Sequence, residues 1–359
     1  MIENDFYTEE IHGKHEYFEL GNYELEMGVT LPNARLAYKT FGQLNAAKDN
    51  AILFPHMFSG TPHDMERWFV GEGRPLDPSR YFIVLPGQFG GGFSSSPTNT
   101  PPPFDAGHFP QVTIGDDVRA QHRLLKERFG IERLQLVLGW SMGAEQTYEW
   151  AVRYPDMVLR ALPIGGTAKT TPHDWLFVMM QEDCIKADPA WHGGFYRRSS
   201  DVHAGLDLIA EEWGVMGVTQ RFYKEEAWRP AGYSSLEDFL DRYWHAWFLP
   251  MDPDNLLTMA WKWRNGDVSR HTNGDLRAAL GRIKAKTFVA PFSGDMFFPV
   301  EDHEDEQAMI PNSEMRVIES PWGHWTMACN RDEDCRAIDN VIGEVLATSV
   351  RVPAGASRN

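Results

Sequence analysis

Six short runs of apolar and β-branched residues constrain the fold of this chain more than any other feature. They lie at residues 51–54, 81–85, 134–138, 159–164, 287–292 and 315–320. Each run is nearly continuous instead of alternating with polar residues, which is typical of strands buried on both faces of a parallel sheet. Helical patterns separate several of the runs. The sequence therefore predicts the α/β class, with a doubly wound, mostly parallel sheet.

Local signals predict further elements. Residues 113–130 begin with a capping-box-like Thr-x-x-Asp and end at glycine, so we expect a helix there. A second helix is expected at 141–154, because the chain continues with proline. Nearer the N-terminus, residues 24–30 and 34–40 flank Leu-Pro-Asn and predict an antiparallel hairpin that turns at 31–33.

Residues 168–275 interrupt the alternation of strands and helices, because they contain no clear strand. They hold eight of the thirteen tryptophans, at positions 175, 191, 213, 228, 244, 247, 261 and 263. Their pattern is helical with glycine and proline interruptions, and the later strand-like runs are still needed to finish a sheet. We therefore predict a helical cap at 168–275, inserted into an α/β core formed by residues 1–167 and 276–359. A separate helical domain is the alternative.

The composition excludes several classes of partner and site. Lys and Arg total 34 against 51 Asp and Glu, a net charge of −17, which argues against nucleic acid or an anionic membrane as partner. No apolar run approaches the roughly 20 residues that a membrane helix needs. The polar start MIENDFYTEE is unlike a secretory signal peptide, and the few cysteines, at 184, 329 and 335, make us expect a reducing cytoplasm. Cysteine and histidine spacings predict neither a disulfide framework nor a metal site.

Gly139-Trp140-Ser141-Met142-Gly143 matches the G-x-S-x-G pattern of a nucleophile elbow. The pattern alone is weak, but here an apolar run ends at Gly139 and a helical pattern begins after Ser141. Glycine on both sides relieves crowding in a turn that is too tight for neighbouring Cβ atoms. The helix N-terminus presents N–H groups to developing negative charge. Ser141 is therefore the candidate nucleophile.

An elbow serine needs an orienting acid and a base, which follow it along the chain in that order. Asp295 comes directly after one strand-like run and His324 directly after the next, where α/β sheets place their sites. We predict Asp295 as the acid and His324 as the base. Weaker candidates remain open for both roles: Glu301 and Asp302 for the acid, and His56 for the base.

The backbone N–H groups of Phe58 and Met142 are the predicted donors of an oxyanion hole. Phe58 lies in the loop after the first strand-like run, and Met142 follows the nucleophile. The glycine-rich stretch 87–97 lacks the G-x-G-x-x-G pattern and is followed by prolines instead of a helix, so nucleotide binding is not expected. We expect a flexible loop beside the pocket there.

With these residues in place, the chain resembles the homoserine O-acetyltransferase family of α/β-hydrolase-fold enzymes. The segments that carry the similarity include NAILFPHMFSGT (50–61), FPQVTIGDDVRAQ (109–121), GWSMGAEQTYEWAVRYP (139–155), IKADPAWHGGFY (185–196) and SPWGHW (320–325). The resemblance implies an eight-stranded sheet flanked by helices, with a helical cap over a deep tunnel. It implies a ping-pong mechanism in which Ser141, Asp295 and His324 act as nucleophile, acid and base. It further implies acetyl-CoA as acyl donor, no permanently bound cofactor, and a homodimer through the cap.

Several positions depart from that family at its amino-acid acceptor site. Trp325 follows the predicted base where the family typically carries an aspartate that helps hold the amino group of homoserine. Trp140 stands where a small residue is usual, and Glu145 stands where the elbow usually continues with methionine. Loss of the carboxylate removes a contact of about 1.5–3 kcal/mol, and an indole favours an apolar group instead. Met57, Trp140 and Trp325 are therefore predicted to line the substrate pocket.

These residues together predict a serine-dependent acyl-transfer enzyme that acts on a small-molecule acyl substrate. We expect the acceptor to be water, which makes an ester hydrolase, or an alcohol other than homoserine. One alternative is a homoserine or serine O-acetyltransferase in which other residues hold the amine. Another is a catalytically silent member of the fold that only binds. A dehalogenase or epoxide hydrolase would need aspartate at position 141 and is disfavoured.

Overall fold

The computed structural model describes residues 2–350, which contain an eight-stranded sheet. Its strands are β1 (Glu16–Glu24), β2 (Thr30–Phe41), β3 (Ala51–Leu53), β4 (Phe82–Pro86), β5 (Leu136–Trp140), β6 (Arg160–Ile164), β7 (Lys286–Val289) and β8 (Ser313–Met315). The spatial order is β1-β2-β4-β3-β5-β6-β7-β8. The β1–β2 and β2–β4 pairs are antiparallel and all others are parallel. The predicted α/β class with a mostly parallel eight-stranded sheet is confirmed.

Thirteen α-helices accompany the sheet within residues 2–350. They are α1 (Glu9–His12), α2 (Pro62–Phe69), α3 (Ile114–Arg123), α4 (Met142–Arg153), α5 (Pro172–Ala187), α6 (His203–Met216), α7 (Gln220–Lys224), α8 (Leu236–Phe239), α9 (Ala246–Phe248), α10 (Pro253–Arg264), α11 (Leu276–Leu280), α12 (Val300–Gln307) and α13 (Asp332–Ala347). The expected capping box is present at α3, where the Thr113 side chain accepts the N–H of Asp116. Among the helices between residues 2 and 350, none combines the length and the hydropathy of a membrane-spanning segment.

The helices α5 to α11 fill the chain between β6 and β7, so this stretch interrupts the sheet in sequence. Between residues 168 and 275 the structure has no strand of the sheet, only two isolated bridges, one between Lys169 and Asp267 and one between Glu3 and Arg198. The division into a core at 1–167 and 276–359 and a cap at 168–275 stays an interpretation of this order. Met1 and residues 351–359, at the two ends of that core, lie outside the described residues.

Two predicted elements are displaced. The N-terminal hairpin exists, but it turns at residues 25–29, and Leu-Pro-Asn lies inside β2. Asn33 has a left-handed φ of 49°, which forms a local irregularity within the strand. The prediction that Leu-Pro-Asn forms the turn of the hairpin is therefore wrong. The last strand also begins earlier than the run at 315–320. Most of that run follows β8, although Ile318 forms a bridge with Phe292.

One disulfide joins Cys329 to Cys335, whose Cα atoms lie 5.0 Å apart. The two cysteines flank the turn between the 3₁₀ helix Gly323–Ala328 and α13. The sequence predicted no disulfide framework and did not single out this pair, which is six positions apart along the chain. Cys184 is a free thiol.

Candidate active site

Ser141 stands on a sharp turn between β5 and α4. Its φ of 57° and ψ of −124° belong to a region that residues other than glycine rarely adopt. The flanking glycines make this turn feasible. A Cβ atom on Gly139 would lie 2.1 Å from the carbonyl oxygen of Gly143, and one on Gly143 would lie 2.6 Å from that of Pro55. The G-x-S-x-G pattern therefore forms the strand–turn–helix elbow that its context indicated.

The three side chains predicted as nucleophile, base and acid form one hydrogen-bonded chain. His324 Nε2 lies 2.9 Å from Ser141 Oγ, and His324 Nδ1 lies 2.8 Å from Asp295 Oδ2. The other carboxylate oxygen of Asp295 accepts the N–H groups of Phe297 and Phe298, which fixes its orientation. Ser141 and His324 are each only 1% exposed. With Nδ1–H donated to Asp295, Nε2 is left as an acceptor for the serine hydroxyl.

The weaker candidates lie elsewhere. His56 is buried and its Nδ1 lies 2.8 Å from the carbonyl oxygen of Met57, so its ring is engaged within its own loop. Burial lowers the pKa of His56 to about 3, which disfavours its protonated form. Glu301 and Asp302 lie in the first turn of α12, and the Nδ1 hydrogen bond of His324 goes to Asp295 instead.

The loop at residues 56–60, called the oxyanion loop below, carries the predicted donor Phe58. Within residues 2–350 the Phe58 N–H has no hydrogen-bond partner, and Met142 is the first residue of α4, where N–H groups lack intrahelical acceptors. The indole N–H of Trp247 donates to Ser59 Oγ at 2.9 Å, which ties this loop to α9. Neither predicted donor is therefore committed to another acceptor within residues 2–350, and their role in an oxyanion hole stays a prediction.

A cluster of indole rings packs beside His324. The tryptophan cluster consists of Trp140, Trp213, Trp244, Trp247 and Trp325. The Trp140 and Trp213 rings lie 5.3 Å and 6.2 Å from the His324 ring, and Trp213 stacks on Phe58 at 6.2 Å. Of the predicted pocket residues, Trp140 and Trp325 are therefore neighbours, whereas the Met57 side chain folds against Gly60.

Sequence reasoning missed Trp213 as a site residue. It lies on α6, buried, with its indole N–H donated to Gln181 of α5 at 3.0 Å. The tryptophan-rich composition of residues 168–275 was visible, but no spacing distinguished a ring over His324 from one that only packs helices together.

A second group of acids, Glu145, Asp174 and Glu306, takes no part in this hydrogen-bonded chain of side chains, although the backbone N–H of Glu145 donates to the Ser141 carbonyl oxygen at 3.2 Å. Burial raises the pKa of Glu145 well above its ordinary range, and neither of its carboxylate oxygens has a hydrogen-bond partner in residues 2–350. Burial, helped by the charge of Asp295, raises the pKa of Asp174 to about 9. Burial raises the pKa of Glu306 to about 8, although the N–H of Ala168 opposes this shift. Burial thus disfavours the charged form of all three carboxyl groups.

Ten of the eleven residues in the glycine-rich stretch 87–97 are buried, so this stretch is packed into the protein, and its predicted flexibility stays a prediction. The Ser94 and Ser95 hydroxyls accept backbone N–H groups of β2, and Phe89 N–H donates to Asp117. The sequence concealed these contacts because every partner lies on a distant segment.

With this geometry in place, comparison with known proteins identifies the family. The model of the alpha/beta hydrolase fold family matches residues 50–328. The chain belongs to the α/β-hydrolase fold family. An ethyl acetate hydrolase from Pseudomonas veronii is 50% identical over 345 residues, which cover 96% of this chain and 99% of that protein.

Two further relatives define its place within the α/β-hydrolases. A homoserine O-acetyltransferase from Thermobifida fusca is 33% identical over 328 residues, 84% of this chain and 86% of that protein. The solved structure of an acetylester hydrolase from Corynebacterium glutamicum superposes with a TM-score of 0.95 at 48% identity, covering 97% of this chain and 100% of that chain. The resemblance to homoserine O-acetyltransferases and the prediction of an α/β-hydrolase-fold enzyme are confirmed.

Proposed function

We propose that this protein hydrolyses esters of short acids, acetate esters above all, through an acyl-enzyme on Ser141. The observation that carries the proposal is the hydrogen-bonded chain from Ser141 through His324 to Asp295 on a nucleophile elbow. The relatives named as an ethyl acetate hydrolase and an acetylester hydrolase support acetate as the acyl group. The buried aromatic surroundings of His324 support a small substrate.

In the proposed first half-reaction, His324 Nε2 takes the proton of Ser141 Oγ while that oxygen attacks the ester carbonyl carbon. The carbonyl oxygen gains the negative charge, which the N–H groups of Phe58 and Met142 stabilise. Asp295 stabilises the imidazolium. The C–O bond to the alcohol then breaks, and the alcohol leaves with the proton from His324.

In the second half-reaction, His324 removes a proton from water, which attacks the carbonyl carbon of the acyl-enzyme. The Ser141 ester bond breaks, His324 returns a proton to Ser141 Oγ, and the carboxylic acid leaves. An alcohol that reaches the acyl-enzyme before water would be acylated instead. We keep this transfer, with acetyl-CoA as a donor, as a prediction that the same assay tests.

Homoserine is a poor acceptor in this proposal. Its ammonium group needs an anionic partner, whereas Trp325 is buried among the rings of Trp140, Trp213, Trp244 and Trp247. A catalytically silent role is also disfavoured, because the pairing of Ser141 with His324 serves catalysis and not binding alone. A small-molecule substrate in the cytoplasm, with no nucleic-acid or membrane partner, completes the proposal.

We also propose that the protein forms a homodimer through α5 and α6. The two helices pack against each other and present apolar side chains that are between 45% and 63% exposed. These are Trp175, Leu176 and Met180 on α5, and Leu208 and Val215 on α6. Clustered exposed apolar side chains on one face of a protein are typical of a protein–protein contact.

One assay tests the proposed activity. Purified protein is incubated with p-nitrophenyl acetate and with ethyl acetate, and separately with acetyl-CoA with or without L-homoserine. We expect ester hydrolysis that Ser141→Ala abolishes and that the exposed control Ser79→Ala leaves unchanged. CoA release that depends on homoserine, without ester hydrolysis, would instead establish an acetyltransferase. Turnover that survives Ser141→Ala would refute the mechanism.

A further inference from the structure

Lys262 is a fully buried ammonium group with three acceptors. It lies on α10, and its Nζ donates to Asp117 Oδ2 at 2.6 Å, to the Phe89 carbonyl oxygen at 2.8 Å and to Gln88 Oε1 at 3.1 Å. Neither the Lys262 nor the Asp117 side chain is exposed. All three N–H bonds of the ammonium are therefore satisfied, in a place where an unpaired charge would cost several kcal/mol.

This ion pair connects three separate segments of the protein. Lys262 belongs to α10, Asp117 belongs to α3 of the core, and Phe89 belongs to the glycine-rich stretch after β4. Asp117 Oδ1 also accepts the N–H of Phe89 at 2.8 Å, so the carboxylate and the ammonium hold the two sides of one peptide segment. Burial lowers the pKa of Lys262, and the charge of Asp117 opposes this shift.

Gln88 connects the ion pair to the oxyanion loop by hydrogen bonds at both ends of its amide. Its amide oxygen accepts from Lys262, and its Nε2 donates to the carbonyl oxygen of His56 at 2.6 Å. An ammonium can only donate and a carbonyl oxygen can only accept, so these partners fix which end of the amide faces which group. A Cβ atom on Gly143 would lie 3.1 Å from the His56 carbonyl oxygen, so this carbonyl also packs against the first turn of α4.

We propose that Lys262 and Gln88 are positioning residues that hold the oxyanion loop in register with Ser141. The chain of contacts runs from Asp117 through Lys262 and Gln88 to His56, two residues before Phe58. The inference rests on the proposed function, since it concerns the oxyanion hole of that reaction. A buried ion pair is a poor source of stability, because apolar residues of similar volume usually serve as well. Directional hydrogen bonds are needed instead to hold the Phe58 N–H at a fixed position relative to the Met142 N–H.

Two variants test this role. Gln88→Met removes the donor to His56 and leaves the ion pair intact. Lys262→Met combined with Asp117→Asn removes both charges together, so no unpaired charge stays buried. The matched control is Arg264→Met on the same helix, whose ion pair with Glu182 at 3.1 Å makes no contact with stretch 87–97. If the double variant fails to fold, the Gln88→Met variant alone tests the positioning role.

The readouts separate positioning from stability. Turnover of p-nitrophenyl acetate is divided by the number of sites that a fluorophosphonate titrates, so unfolded protein does not count. Affinity for trifluoroacetone, which adds to the serine and places an oxyanion in the hole, is measured in parallel. Since loss of one oxyanion donor costs about 10²–10³ in kcat, we expect kcat to fall about 10- to 100-fold with KM within about twofold. Trifluoroacetone affinity should fall by a similar factor, and Arg264→Met should change neither.

Wild-type kcat per site in both test variants would overturn the inference. So would a lower kcat with unchanged trifluoroacetone affinity, because the loss would then lie outside the oxyanion hole. Equal losses in Arg264→Met would assign the effect to general packing of the helices. Turnover of Ser141→Ala, measured per mole of folded protein because this variant has no serine to titrate, distinguishes failure of the proposed function: unchanged turnover in that variant would overturn both.

Discussion

Asp295→Asn is expected to abolish most activity despite its near-identical shape. Asp295 Oδ1 accepts two backbone N–H groups, from Phe297 at 2.9 Å and Phe298 at 3.2 Å, so the oxygen of an asparagine must stay on that side. Its NH₂ group then faces His324 Nδ1, which lies 2.8 Å from the present Oδ2. Because NH₂ only donates, Nδ1 must accept and the ring proton moves to Nε2. His324 in that tautomer cannot take the proton of Ser141.

The size of the loss follows from the tautomer. The same acid-to-amide change in a serine protease lowers kcat by about 10⁴, which corresponds to roughly 5.4 kcal/mol in activation free energy. The orientation here is enforced by two backbone donors, so we expect a loss of about this size. The residual rate should come from the oxyanion donors and from substrate binding.

The assay is the hydrolysis of p-nitrophenyl acetate per titrated site, together with the rate of fluorophosphonate labelling. Both reactions need the same proton transfer, so both should slow in Asp295→Asn. The matched control is Asp302→Asn, which alters a carboxylate on α12 and should stay within about twofold of wild type. Activity of Asp295→Asn within tenfold of wild type would refute the tautomer argument. An equal loss in Asp302→Asn would show that the effect is not specific to Asp295.

Three further outcomes are expected. Glu145→Gln should raise the Tm relative to wild type, by an amount that grows as the pH rises above the ordinary carboxyl pKa of 4.5. The reason is that the native Glu145 carboxyl keeps a proton that the unfolded chain releases, so wild type loses stability with rising pH and the glutamine variant does not. A Tm difference that does not change with pH in scanning fluorimetry would contradict this. Trp213→Leu should shift the preference among p-nitrophenyl esters from acetate towards butyrate and hexanoate, whereas Trp228→Leu, a change in another buried tryptophan that packs on Phe222, should not. Leu176→Asp should lower the mass measured by light scattering from dimer to monomer; a monomeric wild type would contradict the proposed interface.

Much of the site could be predicted because its signals are local. Ser141 is marked by the glycines beside it and by the change from strand to helix, which depend on neighbouring residues only. Asp295 and His324 could be assigned since each follows an apolar run, and parallel strands end at one edge of a sheet. The sequence alone could not exclude Asp302, because the direction in which a loop carboxylate points depends on its backbone hydrogen bonds.

Other features depend on contacts between distant segments. Leu-Pro-Asn resembles a turn locally, but its pairing with β1 keeps it in the strand. Trp213 is distinguished from the other tryptophans between residues 168 and 275 by packing that brings its ring within 6.2 Å of the His324 ring.

The sequence by itself determined the sheet, the elbow and the hydrogen-bonded side chains of Ser141, His324 and Asp295. The hydrophobic periodicity, the turn residues and the ends of the strands can each be recognised from residues that are adjacent in sequence. Only the tertiary structure decided which tryptophans surround the site, that Glu145 is buried without a partner, and that Lys262 meets Asp117 across 145 residues of chain. The physical reason is that the role of a charged or aromatic side chain depends on how far it is removed from water and on which side chains surround it. The burial and the surroundings are both set by how the helices between β6 and β7 pack on the sheet.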